Sequence, residues 1–355
     1  MGVRRGVDVL VGGQYGSEGK GVIASYLAME YDAHIRVGGP NAGHSFIYDG
    51  HLYKMQSIPC GWINPTAKLL IGAGGLVDVK NLISEIETIK KYSGWDISNR
   101  LFIDKHCGVL SEDFKFAEGG TTGEIHQRIG STGEGVGAAR VARMNRVVGT
   151  FKFAKDIPEL QPFLTKSVSS MVNEMVDGGQ NVLIEGTQGM ELSLIHCNQW
   201  PYCTSADTNA GQMIADVGIS PLIIRNVILV VRTYPIRVAG NSGPIYNETT
   251  WADLSRKIGK EVIEKTTVTK KIRRVGEWDD DLLVKSIKIN RPTYIALNFI
   301  DYINPSDAGK TSYELLSSES KKFIAKVEAH GVPVPLIGTG GETFSVIDGR
   351  GKCKY

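Results

Sequence analysis

Residues 7–31 read "VDVLVGGQYGSEGKGVIASYLAMEY", an apolar strand, a glycine-rich turn and the start of a helix in one line. That order places free backbone N–H groups and the positive end of a helix dipole at one point, an arrangement that suits phosphate. The loop is not the common phosphate loop. Five positions before Gly19 stands Gln14 rather than glycine, and Gly21 follows Lys20 where serine or threonine would be needed. The dinucleotide spacing GxGxxG fails as well. Lys20 adds a positive charge, and the helix after it turns Val22, Ile23, Tyr26 and Leu27 inward.

Outward from this stretch, apolar runs alternate with helical patterns. Strands are predicted at 7–11, 34–37, 68–72, 101–104, 181–186, 226–234, 293–299 and 334–338, continuous enough for burial on both faces. Residues 78–92 predict a helix with Asp78 as N-cap and Val79, Leu82, Ile83, Ile86 and Ile89 on one face. A second helix is predicted over 312–331, ending on a glycine cap. The fold class is therefore α/β, a mostly parallel sheet flanked by helices with inserted subregions. No repeat or linker divides the chain, so 1–355 is expected to be a single domain. Glycine clusters follow several strands, where α/β sheets bind ligands. Each cluster taken alone could equally be a tight turn.

A net charge of +2 gives no basis for a nucleic-acid or membrane partner. The five cysteines include no CxxC pair, and Cys197 and Cys203 near His196 lack a second ligand pair. They read as thiols, and a cytoplasmic setting is expected. No segment is long enough to span a bilayer, and no signal-peptide apolar region is present.

Several motifs together resemble the adenylosuccinate synthetase family. "GGQYGSEGKG" is similar to its GxQWGDEGKGK, and "GGPNAGHS" (38–45) to its second signature. "GSTGEGVG" (130–137), "EGTQG" (185–189), "WPYCTSADTNAG" (200–211), "RRVGEWD" (273–279), "LNFID" (297–301) and "IGTGGE" (337–342) follow in family order. The resemblance implies a C–N ligase. It moves the γ-phosphoryl of a nucleotide to O6 of a purine monophosphate, and the amine of L-aspartate then displaces phosphate at C6.

By that resemblance, Gly16, Ser17, Glu18, Gly19, Lys20, Gly21 and Gly43 cradle the donor phosphates, with Mg2+ near Ser17 and Gly43. Ser45, Arg273, Phe299, Asp301, Gly338, Thr339 and Gly340 complete the donor site. Ser17, Lys20 and His44 are the catalytic candidates, His44 as general acid near O6; as a lone histidine it could also be a structural hydrogen-bonder. Asn41 contacts the purine, while Ser131, Thr132, Gln188 and Thr204 hold the 5′-phosphate. Thr269, Lys271 and Arg273 line the aspartate site, although "TKKIRR" read alone could be a solvated basic loop. An arginine acting in trans implies a homodimer. Counting from Thr132 gives Arg146, with Arg143 and Arg140 as competitors.

Three positions depart from the family pattern. Ser17 replaces an aspartate, Phe299 replaces the lysine of the guanine-reading motif, and Glu134 replaces an arginine. A serine is a poor base but leaves room beside N1 and C2 of the purine. An aromatic ring stacks on any base. The first two changes resemble a bacteriophage branch that joins dGMP to L-aspartate with ATP, toward diaminopurine DNA. An ordinary member acting on IMP with GTP is the alternative. A nucleotide-binding switch protein would require a true phosphate loop and would have no use for "NAGH" and "TKKIRR".

Overall fold

All eight predicted apolar runs form strands of one sheet. The structure, a computed structural model, describes residues 6–119, 122–266 and 271–352. The strands are β1 (Val7–Gly12), β2 (Ala33–Arg36), β3 (Lys68–Ile71), β4 (Leu101–Asp104), β5 (Leu164–Thr165), β6 (Val182–Glu185), β7 (Ile224–Arg232), β8 (Tyr294–Asn298), β9 (Leu336–Gly338) and β10 (Val346–Asp348). Their order across the sheet is β5-β4-β3-β2-β6-β1-β7-β8-β9-β10. Every pairing is parallel except β9 with β10, which is antiparallel.

Side-chain alternation along the strands divides the interior into two cores. Val7, Val9 and Val11 of β1 join Ile35, Ile184, Leu229 and Leu297 in one of them. Leu10 joins Leu69, Leu183, Ile228 and Ala296 in the other, beneath the helix Lys20–Tyr26. Fully burying each such side chain stabilises the fold by roughly 1.5–3 kcal/mol. The helix Val79–Ser93 starts at the expected cap, Asp78 accepting from the Asn81 N–H, and buries Leu82, Ile86 and Ile89.

Two helices differ from their expected extents. The first, after the loop, is α-helical only to Tyr26 and tightens into a 3-10 turn over Leu27–Glu30. The segment predicted as helix over 312–331 contains a 3-10 turn at Tyr313–Leu315 and a helix over only Ser318–Glu328. Ser317 sets that start. Its hydroxyl donates to buried Asp307 at 2.7 Å and accepts from the Ser320 N–H, making it the N-cap. The helix is capped by Ala329 in right-handed geometry, and Gly331 lies beyond it.

The architecture points its ligand face at the carboxyl ends of β2, β6 and β1, where the winding of the sheet reverses. Loops 37–43, 186–189 and 13–19 leave from those ends.

Candidate active site

The loop after β1 is held from inside. The Gln14 and Gly16 N–H groups donate to Glu18 Oε1 at 3.0 and 2.8 Å. Lys20 Nζ donates to Glu18 Oε2 at 2.6 Å and to the Gln188 carbonyl at 2.5 Å. Glu18 is fully buried, so its carboxylate shapes the loop and does not face a ligand. Glycine is required at Gly19, which has φ 89°, and a Cβ there would stand 2.5 Å from Asn298 Nδ2. Asn298 donates to the Glu18 and Gly19 carbonyls at 2.8 and 3.2 Å, tying the loop to β8. Ser17 adopts a left-handed φ of 60°, a conformation that costs a serine roughly 1–2 kcal/mol. Its carbonyl accepts from Arg232 Nη1 at 3.1 Å.

His44 opens a β-hairpin, His44–Tyr48 with His51–Met55, turned by Asp49 and Gly50, both at positive φ. Its Nδ1 lies 2.5 Å from both Glu185 Oε1 and Arg36 Nη1, which are themselves 2.5 Å apart. Glu185 Oε2 accepts from the Cys60 N–H at 2.7 Å. Burial first, then the Arg36 charge, pushes His44 down to about 3, so the ring is neutral. Burial alone would raise the Glu185 carboxyl, but Arg36 and the His44 contact override it and hold it at about 2. Nε2 of His44 is buried with no protein partner among the described residues, and the residue lines the main cavity. His44, Cys60 and Glu185 bring potential metal-ligand atoms together, but the Arg36 guanidinium sits against two of them and disfavours a cation.

Two adjoining chambers open over these loops. Gly16, Ser17, Lys20, Asn41, Gly43, His44, Ser131, Thr132, Gln188, Lys271 and Arg273 line the first. Asn41, Ser131, Thr132, Gln188 and Thr204 line the second, together with Tyr15, Trp200 and Arg237. The residues expected at the phosphates, the purine and the dicarboxylate therefore share one connected space. Thr269 lies outside the described residues.

The remaining candidates sit elsewhere. Gly21 packs the first helix against the hairpin, where a Cβ would meet the Ser45 carbonyl at 2.9 Å. Phe299, Asp301, Gly338, Thr339 and Gly340 gather past the ends of β8 and β9. There the Arg232 guanidinium stacks 3.8 Å from the Phe299 ring centroid, so Arg232 touches both Phe299 and Ser17. Asp301 has a buried Oδ1 without a partner among the described residues, and burial raises its carboxyl to about 6. Thr339 is fully buried and donates to the Lys310 carbonyl at 2.9 Å, so its hydroxyl is structural. None of Arg140, Arg143 and Arg146 lines either chamber. Arg143 donates to the Ala73 carbonyl, and Arg146 turns back to the Met144 carbonyl.

Sequence reasoning missed Arg36, Glu185, Arg232 and Asn298. The signal was available for three of them: Arg36, Glu185 and Arg232 are charged residues inside apolar runs, and charge buried in a strand is rarely unpaired.

The family model for adenylosuccinate synthetase matches residues 9–151 and 149–308. The chain belongs to the adenylosuccinate synthetase family. It is 41% identical to the adenylosuccinate synthetase of Methanococcus aeolicus over 96% of this chain and 99% of that one. The Pyrococcus horikoshii enzyme is 40% identical over 96% of this chain and 98% of its own length. Among solved structures, fully ligated adenylosuccinate synthetase from Plasmodium falciparum superposes with a TM-score of 0.84, at 22% identity, covering 97% of this chain and 99% of that one. Cyanophage S-2L succinoaminodeoxyadenylate synthetase, bound to dGMP and to dATP as an energy donor, gives 0.81 at 28% identity, over 98% and 96% of the two chains. This adenylosuccinate-synthetase-type protein is thus a C–N ligase with the large, mostly parallel sheet of its relatives. Among the described residues, no helix is long and apolar enough to cross a membrane.

Proposed function

We propose that this ligase condenses dGMP with L-aspartate, using ATP or dATP, through a 6-phosphoryl purine. The product is 2-amino-2′-deoxy-N6-succinyladenylate, a precursor of diaminopurine DNA in a bacteriophage setting. The observation that carries the reading is Ser17 on the wall of the chamber that also holds Asn41, His44 and Gln188. A hydroxymethyl group there leaves space for the 2-amino group of guanine, where the family signature has a carboxylate. The S-2L relative, bound to dGMP and to dATP as an energy donor, supports the reading.

In this reading N1 of dGMP releases its proton to solvent, O6 attacks the γ-phosphorus and the nucleoside diphosphate leaves. The aspartate amine then adds at C6, and inorganic phosphate departs with its oxygen. His44 faces O6 through Nε2. Because Nδ1 donates to the ionised Glu185 carboxylate, the neutral ring presents an Nε2 lone pair and serves as the acid at O6 once Nε2 takes up a proton. Lys20 offsets phosphoryl charge. Asn41 reads the purine, while Ser131, Thr132, Gln188 and Thr204 hold the 5′-phosphate. Lys271, Arg273 and Thr269 receive the dicarboxylate. The backbone of Gly16–Gly21 and of Gly338–Gly340, with Gly43, Ser45, Arg273, Phe299 and Asp301, serves the donor nucleotide, and Phe299 is a base-tolerant platform. Residues 1–355 act as one domain, in a homodimer whose partner lends Arg140, Arg143 or Arg146.

Ser17 and Gly43 line the same chamber and offer hard oxygen donors, a hydroxyl and a carbonyl, of the kind that would hold Mg2+. When bound, Mg2+ neutralises charge on the transferred phosphoryl group.

A second reading, adenylosuccinate formation from IMP, is favoured by the identity of 40–42% to archaeal adenylosuccinate synthetases. Purified protein with Mg2+ and L-aspartate, given dGMP or IMP and then ATP or GTP, separates the two. Aspartate-dependent phosphate release with dGMP and ATP is expected; turnover confined to IMP and GTP overturns the proposal.

A further inference from the structure

His126 belongs to none of the roles above. It sits on the short helix Glu124–Ile129 and lines the first chamber between the two substrate regions. Its Nδ1 bonds the Ser131 carbonyl, and its Nε2 lies 3.2 Å from Lys271 Nζ. A carbonyl only accepts and an ammonium only donates, so both contacts together fix one tautomer. Nδ1 carries the hydrogen, and the Nε2 lone pair accepts from Lys271.

Both partners gain from this. Ser131 opens the "STG" turn, where its hydroxyl also accepts from the Gly133 N–H at 3.2 Å. Lys271 is an exposed side chain beside the isolated bridge of Lys265 with Ile272, and its carbonyl accepts from the Thr266 N–H at 2.8 Å. A long exposed lysine loses rotamer freedom when it captures a carboxylate, and a partner that holds it beforehand lowers that loss. One donor spent on His126 leaves two hydrogens of the ammonium for a ligand.

We infer that His126 is a positioning residue that ties the 5′-phosphate turn to the dicarboxylate site, so that Lys271 is aimed at aspartate from a turn shaped for the nucleotide. The inference rests on the assignment of Ser131 and Lys271 proposed above. It makes the two substrate sites mechanically continuous through one imidazole ring.

Two conservative variants divide the ring. His126→Asn keeps a donor at the Nδ1 position but is too short for Lys271. His126→Gln keeps an acceptor near the Nε2 position but drops the Ser131 bond. The steady-state constants of both, measured with the full chain and Mg2+, test the inference. His126→Asn is expected to raise the aspartate KM about tenfold, the scale of one charge-assisted hydrogen bond, with kcat and the purine-nucleotide KM held within about twofold. His126→Gln is expected to raise the nucleotide KM several-fold and spare the aspartate KM. Equal changes toward both substrates in both variants, as a merely scaffolding histidine gives, overturn the inference. Lys271→Ala is the control. An aspartate KM raised by Lys271→Ala but not by His126→Asn sinks the inference alone. An aspartate KM unmoved by Lys271→Ala sinks the assignment of the aspartate site and the inference with it.

Discussion

The two walls of the cavity are built differently. The wall at the ends of β2 and β6 is dry and charged: the Arg36, His44 and Glu185 side chains are 3%, 6% and 0% exposed, and their polar atoms bond one another. The facing wall, residues 124–135, 265–266 and 271–273, is carried on a short helix and adjoining loops, with mostly half-exposed or exposed side chains and contacts such as His126 to Lys271. Buried charge is costly and persists only where partners are fixed. Exposed segments with few apolar contacts open at low free energy. The difference teaches where chemistry and capture separate: proton placement belongs to the rigid wall, and substrate capture to the yielding one.

The sharpest way to break that division is His44→Ala. Condensation should fall by about 10²–10⁴-fold, as expected for loss of a general acid, while dGMP binding by calorimetry stays near the parent's. A near-normal rate would reduce the dry wall to scaffolding. Next is Glu185→Gln, which leaves the Arg36 guanidinium buried without its counter-charge; the melting temperature should drop by an amount equivalent to about 3–5 kcal/mol.

The same wall sets an acid limit. His44 is held below its ordinary 6.5, so the unfolded chain takes up a proton there first, and stability falls as pH drops below that value. Glu185 is held below its ordinary 4.5, so its contribution is present above 4.5 and is lost as pH falls toward about 2. Denaturant titrations from pH 7 to 4 should show a steeper loss in the parent than in His44→Ala. Equal slopes would contradict the burial of a neutral His44.

On the yielding wall, Thr132→Ala should raise the nucleotide KM about tenfold and leave the melting temperature unchanged. A matching loss of stability would erase the contrast between the walls. The smallest effect is expected for Phe299→Ala, a several-fold rise in the ATP KM from lost stacking, and an unchanged ATP KM would remove Phe299 from the donor site.

Much of this was legible in the residues. The eight buried strands announce themselves because both faces are covered, which makes each run continuously apolar. The two-residue β5 and the antiparallel β10 are too short to carry a pattern. The His44 hairpin has a readable sign, Asp49-Gly50 between "SFIY" and "HLYKM". Residues of the early motifs, among them Ser17, Lys20, Asn41, His44, Ser131 and Gln188, line the chambers, whereas Phe299, Asp301 and Gly338–Gly340 lie at the ends of β8 and β9. The partners behind them, Arg36 and Glu185, were hidden because pairing across β2 and β6 depends on sheet order, which one sequence does not display.

The most direct measurement is the ratio of kcat/KM for dGMP to that for IMP, with ATP and L-aspartate, in the parent and in Ser17→Asp. The parent should favour dGMP, and the variant's ratio should fall by about tenfold, a fraction of the clash of an extra carboxylate against the 2-amino group. A ratio that stays the same or rises in Ser17→Asp would contradict the claim that position 17 selects the purine.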